Sequence, residues 1–193
     1  MTSIIETPNS KLILHQIDDN INKLIEMCVL EVNTLLIVKP EIRIYGKIVH
    51  QQRNVGFFSN CSKGYYYSKK LMKSQKLTLN LEKLLEYINS KFNSKYNGIL
   101  INYYEDGTQY ISKHSDDEKN LDDSGVVSVS YGEIRKFRIR DKKTNKIIKD
   151  IPTEPDKIIQ MTGDFQKEFT HEIPVEKKIK GGRYSFTFRK HLE

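Results

Sequence analysis

Apolar residues recur along the chain in two rhythms. From Ile21 they fall at helical spacing (Ile21, Leu24, Ile25, Cys28, Val32, Leu35), with Asp18 or Asp19 in the place of a helix cap and Pro40 beyond the end. A second stripe (Leu81, Leu84, Leu85, Ile88, Phe92) follows Asn80 in the same way. Both stripes read as core-facing and carry no chemistry. Elsewhere the runs are short and strand-like. Residues 12–14, residues 43–49 with a glycine inside, continued by Gln51, Gln52 and Arg53, and residues 65–68 lie before or between the helices. From Ile99 onward the pattern is nearly all β: residues 126–131, a hairpin of 136–140 with 147–151 around 142–145, then 158–161, 169–173 and 184–189, separated by Gly163-Asp164 and Gly181-Gly182. Many short strands after two amphipathic helices predict an α+β, mainly β fold, a sandwich or jelly roll with the helices on one side.

The chain has 193 residues, enough for one domain with a sizeable core, so residues 1–193 are read as a single domain with 1–11 as a loose leader. It contains no apolar run of membrane-spanning length, and its start lacks a basic region followed by an apolar one, so a soluble, intracellular monomer is expected. Cys28 and Cys61 make no disulfide framework. The net charge of +7 suits a polyanionic partner, above all nucleic acid, although a composition rich in Lys, Asn and Ile also follows from an AT-rich genome.

The chemistry concentrates in residues 99–118, which run from an apolar strand through Asp106-Gly107 into a dense polar cluster. His114 and Asp116 are two apart, so on a strand they share a face. A third ligand would complete a two-histidine, one-carboxylate triad of the kind that leaves open positions on non-haem Fe(II). His171, in a late strand, is the natural third member, and the alternative is a satisfied structural histidine. Near the C-terminus, Arg183, Ser185, Thr187 and Arg189 share one strand face while Tyr184, Phe186 and Phe188 share the other. The aromatic face is core. Arginines on an inward-leaning opposite face need anionic partners, and a dicarboxylate matches guanidinium in a bidentate fork. The alternative is a solvated sheet surface. Asn102 and Tyr104, also on one face, could add hydrogen bonds.

Taken together, Asn102-x-Tyr104, His114-x-Asp116, residues 128–132 (SVSYG), His171-x-Ile173-Pro174 and Arg183-x5-Arg189 resemble the AlkB family of Fe(II)- and 2-oxoglutarate-dependent dioxygenases, over most of the chain and in the family's order. The resemblance implies a double-stranded β-helix (jelly-roll) core with N-terminal helices packed on one side. It implies iron held by His114, Asp116 and His171, and 2-oxoglutarate held by Arg183 and Arg189 with Asn102 and Tyr104 assisting. The implied activity uses dioxygen to hydroxylate an N-alkyl group, which leaves as formaldehyde.

The likeness extends to the eukaryotic DNA-repair branch, whose members act on bases such as 1-methyladenine and 3-methylcytosine. It implies that Glu118, beside Asp117, reads the damaged base, where a carboxylate would favour a cationic methylated base over a neutral one. The alternative is a solvated acidic loop. It implies that Tyr67 stacks on the flipped base and Tyr65 approaches its polar edge, against the alternative that both are core strand residues. Residues 44–47 resemble a hairpin that wedges Tyr45 into the duplex gap, with Arg53 near the opposing strand. Lys177 and Lys178 resemble a basic loop that grips a backbone, with Glu176 in place of a third basic residue. Arg135 is a candidate phosphate contact or an ordinary exposed charge. The partner implied is alkylated DNA, duplex or single-stranded. The competing readings are a demethylase of methylated RNA, an oxygenase acting on a protein side chain, and a nucleic-acid-binding jelly roll without turnover.

Overall fold

The computed structural model describes residues 1–18, 21–44, 46–67, 70–117, 121–122 and 124–192, with backbone alone for Ile44, Tyr67 and Lys70. In chain order the elements are β1 (Thr2–Glu6), β2 (Ser10–Gln16), α1 (Ile21–Val32), β3 (Glu41–Ile44), β4 (Lys47–His50), β5 (Asn54–Phe58), β6 (Gly64–Tyr67), β7 (Lys70–Lys73), α2 (Leu79–Phe92), β8 (Gly98–Tyr104) and β9 (Ile111–His114). They continue with β10 (Val126–Gly132), β11 (Lys136–Asp141), β12 (Ile147–Pro152), β13 (Lys157–Gly163), α3 (Phe165–Glu168), β14 (Phe169–Ile173) and β15 (Arg183–Arg189). A major sheet runs β1-β2-β13-β10-β15-β8-β5, and a minor sheet runs β12-β11-β14-β9. Two further hairpins, β3-β4 and β6-β7, form two-stranded sheets of their own, and Tyr65 of β6 packs against β5 of the major sheet. Antiparallel pairing of the strands in both sheets, and the packing of the two sheets face to face, give the jelly-roll layout expected from the strand pattern.

Alternation along each central strand sends side chains to two different cores. On one face of the major sheet, Ile99, Ile101, Val127, Val129, Phe186 and Phe188 meet the buried stripes of α1 and α2. On the other face, Val126, Ile159 and Met161 meet Ile111, Phe137, Ile139 and Ile173 of the minor sheet. The helices therefore brace the back of the major sheet, and the site lies on its front. No helix among the described residues is long and apolar enough to cross a membrane.

Several local expectations change. Residues 1–11 are not a loose leader: β1 pairs with β2, and β2 pairs in turn with β13, so the N-terminus forms the edge of the major sheet. The cap of α2 is Thr78, whose hydroxyl accepts from Leu81 N at 3.3 Å, while Asn80 lies inside the helix with its amide on Glu31. The Asp18 carboxylate takes the Tyr87 hydroxyl at 2.7 Å and the Lys91 ammonium at 3.1 Å, while its carbonyl accepts from Ile21 N at 2.9 Å; Asp19, the other candidate cap of α1, lies outside the described residues, and Leu35 falls beyond the helix end. Residues 43–49 are not one strand but two, β3 and β4, turning through Gly46 at φ 78°, a conformation that glycine adopts without a Cβ penalty.

Candidate active site

Strand β15 is the floor of the site. Its register sets Arg183 opposite Tyr104, Ser185 opposite Asn102 and Thr187 opposite Leu100 on β8. On its other side Ser185 faces Ser130 and Thr187 faces Ser128 on β10. Side chains directly opposite on antiparallel strands share a face. Leu100, Asn102, Tyr104, Ser128, Arg183, Ser185, Thr187 and Arg189 accordingly line one cavity, roofed by Ile111, Phe137, His171 and Ile173. The sequence alternation of Arg183, Ser185, Thr187 and Arg189 is thus an inward face.

The minor sheet brings the histidines together. His114, the last residue of β9, pairs directly with His171 of β14, and their ring centroids are 4.3 Å apart. Asp116 follows two residues after the strand ends. His114 Nε2 lies 4.0 Å from Asp116 Oδ1, and His171 Nε2 lies 3.7 Å from Asp116 Oδ2. One ligand atom from each residue lies within 4.8 Å of the others, so the three form a set that could hold a metal ion. His114 Nδ1 is 2.9 Å from the Ser112 carbonyl, a partner that makes Nδ1 the protonated nitrogen and turns the Nε2 lone pair toward Asp116. Burial pushes both imidazoles down, His171 to about 3, so both are neutral and competent as ligands at physiological pH. Burial raises the Asp116 carboxyl, but the charge of the Arg189 guanidinium beside it overcomes this and the group is held at about 2, ionised. Two neutral imidazoles and one carboxylate suit a divalent ion of the iron type.

The arginines differ in their partners. Arg189, fully buried, places Nη2 3.3 Å from Asp116 Oδ1 and its guanidinium carbon 5.0 Å from the Tyr65 ring. Arg183 is also buried. Its Nε donates to Thr153 Oγ1 at 3.1 Å and its Nη2 to Ser130 Oγ at 2.8 Å, while Nη1 has no hydrogen-bond partner among the described residues. No carboxylate among the described residues lies within ion-pair reach of it. Burial draws Arg183 down to about 10, and it remains protonated at neutral pH. A buried cation with only neutral partners is costly, and an anionic ligand at Nη1 would relieve it. The cavity therefore fits a carboxylate cosubstrate beside the metal-ligating set.

Of the other sequence candidates, two are corrected. Arg53 does not face outward toward a second strand: it is 3% exposed, and its Nε donates to Asn102 Oδ1 at 2.7 Å. Arg135 is not a phosphate contact. At 1% exposure it donates to the carbonyls of Asp106 (3.0 Å), Gln109 (2.9 Å) and Pro174 (2.7 Å) and to Glu176 Oε2 (3.2 Å). Glu176, which interrupts the basic loop, is explained by this bond. Lys177 and Lys178 are exposed. Asp117 is exposed and paired with Lys142 Nζ at 3.2 Å, and it does not line the cavity. Tyr65 is 4% exposed and stacks on Phe57 at 6.0 Å. Tyr45, Glu118 and the side chain of Tyr67 lie outside the described residues.

Sequence reasoning missed Ser130, Thr153 and Gln166. Ser130 was legible in principle, since its register on β10 opposes the arginine strand. Thr153 follows the end of β12 and Gln166 stands in the four-residue helix α3, segments too short for periodicity to mark them.

Comparison with known proteins agrees with this geometry. The profile of the 2OG-Fe(II) oxygenase superfamily matches residues 17–189. The human protein "DNA oxidative demethylase ALKBH2" is 26% identical over 159 residues, which are 78% of this chain and 61% of that protein, so the chain spans about three fifths of that relative's length. The mouse "Alpha-ketoglutarate-dependent dioxygenase alkB homolog 3" is 31% identical over 103 residues, 49% of this chain and 36% of that protein. The solved structure "The structure of OsALKBH1" superposes with a TM-score of 0.60 at 14% identity, covering 93% of this chain and 97% of that one, a likeness of fold.

Proposed function

The chain belongs to the 2OG-Fe(II) oxygenase superfamily and, within it, to the AlkB family; from that premise we propose that it is an oxidative demethylase of N-alkylated bases in DNA, acting on lesions such as 1-methyladenine and 3-methylcytosine. The observation that carries the reading is Arg183, a buried guanidinium with no acidic partner among the described residues, in the same cavity as His114, Asp116 and His171. The names of the DNA demethylase relatives support the choice of substrate.

In this reading His114, Asp116 and His171 hold Fe(II), and Arg183 takes a carboxylate of 2-oxoglutarate through Nη1. When bound, iron and 2-oxoglutarate with dioxygen supply the oxidation that hydroxylates the N-alkyl carbon, released as formaldehyde. The chain's own residues do the rest. Ser130 and Thr153 fix the plane of the Arg183 guanidinium before the ligand arrives, so little order is lost on binding. Arg53 takes the Asn102 carbonyl oxygen, which leaves the Asn102 amide nitrogen as its donor to the cavity. Tyr104, against which Arg183 stacks at 5.5 Å, closes that end. Ile111, Phe137, Leu100 and Met161 wall the cavity with apolar surface and keep water from the reacting carbon.

The substrate base must leave the helix to reach this cavity, at a cost of a few kcal/mol that methylation lowers by having already broken the pair. We assign Tyr67 to stacking and Glu118 to charge selection. Asp117, engaged with Lys142, takes no part in the proposed base recognition. Lys177 and Lys178 supply sequence-independent contacts to phosphate.

The test is formaldehyde release and repaired base from 1-methyladenine oligonucleotides as duplex DNA, single-stranded DNA and RNA, with Fe(II) and 2-oxoglutarate and an Asp116→Ala control. Turnover on DNA that disappears in the control is expected. Turnover confined to RNA would move the substrate, and no product from any of the three would overturn the demethylase reading.

A further inference from the structure

The three members of the metal-ligating set are not held alike. His114 and His171 face each other across the β9-β14 ladder, so sheet hydrogen bonds fix both. Asp116 lies beyond the end of β9 and belongs to no ladder. A ligand on a loop must be positioned by something else, because a misplacement of about 1 Å is enough to spoil a coordination site.

The contacts at this loop point to α3. The Asp116 backbone N–H donates to Gln166 Oε1 at 2.9 Å. One residue earlier, Ser115 Oγ donates to the Phe169 carbonyl at 3.0 Å. One residue later, Lys142 Nζ bridges Asp117 Oδ2 at 3.2 Å and the Gln166 carbonyl at 3.1 Å. Three successive residues are thus tied to the segment that enters β14, where His171 stands. The side-chain amide of Gln166 has only one useful orientation here, since an N–H donor selects its oxygen. The amide nitrogen is then left facing Met161 Sδ, a weak acceptor, at 3.7 Å.

Helix α3 is in turn well anchored. Phe165 is 1% exposed in the core between the sheets, with its ring 5.0 Å from that of Phe169. The Asp164 N–H donates to the Asn9 carbonyl at 2.9 Å, and Thr7 Oγ1 donates to Glu168 Oε2 at 2.7 Å. The β1-β2 turn therefore braces α3, and α3 braces Asp116.

We propose that Gln166 is a positioning residue for the metal centre: its amide oxygen fixes the loop that carries the Asp116 carboxylate relative to the two histidines. The proposal rests on the assignment of Asp116 as a metal ligand. Gln166 touches neither metal nor substrate; it acts through the Asp116 peptide, as outer-shell partners do at other metal sites.

The experiment is Mn(II) titration of the metal-free full chain, followed by electron paramagnetic resonance of the free ion, on wild type, Gln166→Met, Gln166→Glu and Asp116→Ala. Met keeps the length and bulk of the side chain and removes the acceptor, whereas Glu keeps the acceptor. Gln166→Met should weaken Mn(II) binding by about ten- to hundredfold, with near-ultraviolet circular dichroism unchanged. Gln166→Glu should restore binding close to wild type, a rescue that a merely space-filling role would not need. Were Gln166→Met to misfold, Gln166→Asn, which withdraws the acceptor by one methylene, gives the same reading. Wild-type affinity in Gln166→Met, with affinity lost in Asp116→Ala, would overturn the positioning role alone. Unchanged affinity in Asp116→Ala would overturn the metal-centre assignment, and the positioning role with it.

Discussion

Arg135 and Arg183 are alike in almost every respect that a sequence or a burial profile reports. Both are buried, at 1% and 2% exposure, and both stack on Tyr104, at 5.8 and 5.5 Å. They even share an acceptor: Thr153 Oγ1 takes the backbone N–H of Arg135 and the Nε of Arg183. They differ in what completes them. Arg135 has a carboxylate and three main-chain carbonyls, collected from the turn at Asp106, from Gln109 and from the loop after β14. Arg183 has the hydroxyls of Thr153 and Ser130, the Tyr104 side chain beside it and, among the described residues, no hydrogen-bond partner at Nη1. The first arginine is a knot that closes loops around the site. The second carries a charge that no described carboxylate neutralises. Burial alone does not distinguish them; the partner set does.

This comparison can be broken at either end. The largest effect should come from Arg135→Met, which takes the guanidinium from three carbonyls and leaves the Glu176 carboxylate to Lys136 alone. Removing one partner of a buried ion pair costs about 3–5 kcal/mol, and for a chain of this length the thermal midpoint should fall on the order of 10 °C. A melt within a degree or two of wild type would show that Arg135 is not the knot described. Thr153→Val should be milder. It removes one acceptor from each arginine, so a loss of about 1–2 kcal/mol should appear together with a modest rise in the 2-oxoglutarate KM. An effect on stability without any on KM would mean that Thr153 serves Arg135 alone.

The same contrast explains what was legible in the sequence. The arginine face of β15 could be read because alternation is a backbone property, and the register then delivered Asn102, Tyr104 and Ser185 to the same cavity. His114-x-Asp116 and His171 could be found because a metal-binding pattern is carried by residue type. The stripes of α1 and α2 were equally plain. Arg135 and Arg53 were misread as outward charges because a basic residue after a turn carries no local sign of burial; the partners of the Arg135 guanidinium lie 26 to 41 residues away in sequence. Strand β5 (Asn54–Phe58) was overlooked because it is buried along its whole length and shows no alternation. The pairing of β1 was invisible for a related reason: its partner in turn pairs with β13, near the other end of the chain. Gln166 could not have been found from residue type, since a single glutamine on a four-residue helix belongs to no pattern.

The central claim is that the unmatched charge of Arg183 is there to receive 2-oxoglutarate. Its most direct test is the affinity of the Mn(II)-loaded chain for 2-oxoglutarate, measured calorimetrically for wild type and Arg183→Met. A charge-assisted hydrogen bond contributes about 1.5–3 kcal/mol, so affinity should fall roughly ten- to hundredfold, while the thermal midpoint of the ligand-free variant stays at or above that of wild type because a buried cation with only neutral partners has been removed. Equal affinity in the two proteins would contradict the claim and make Arg183, like Arg135, a structural residue.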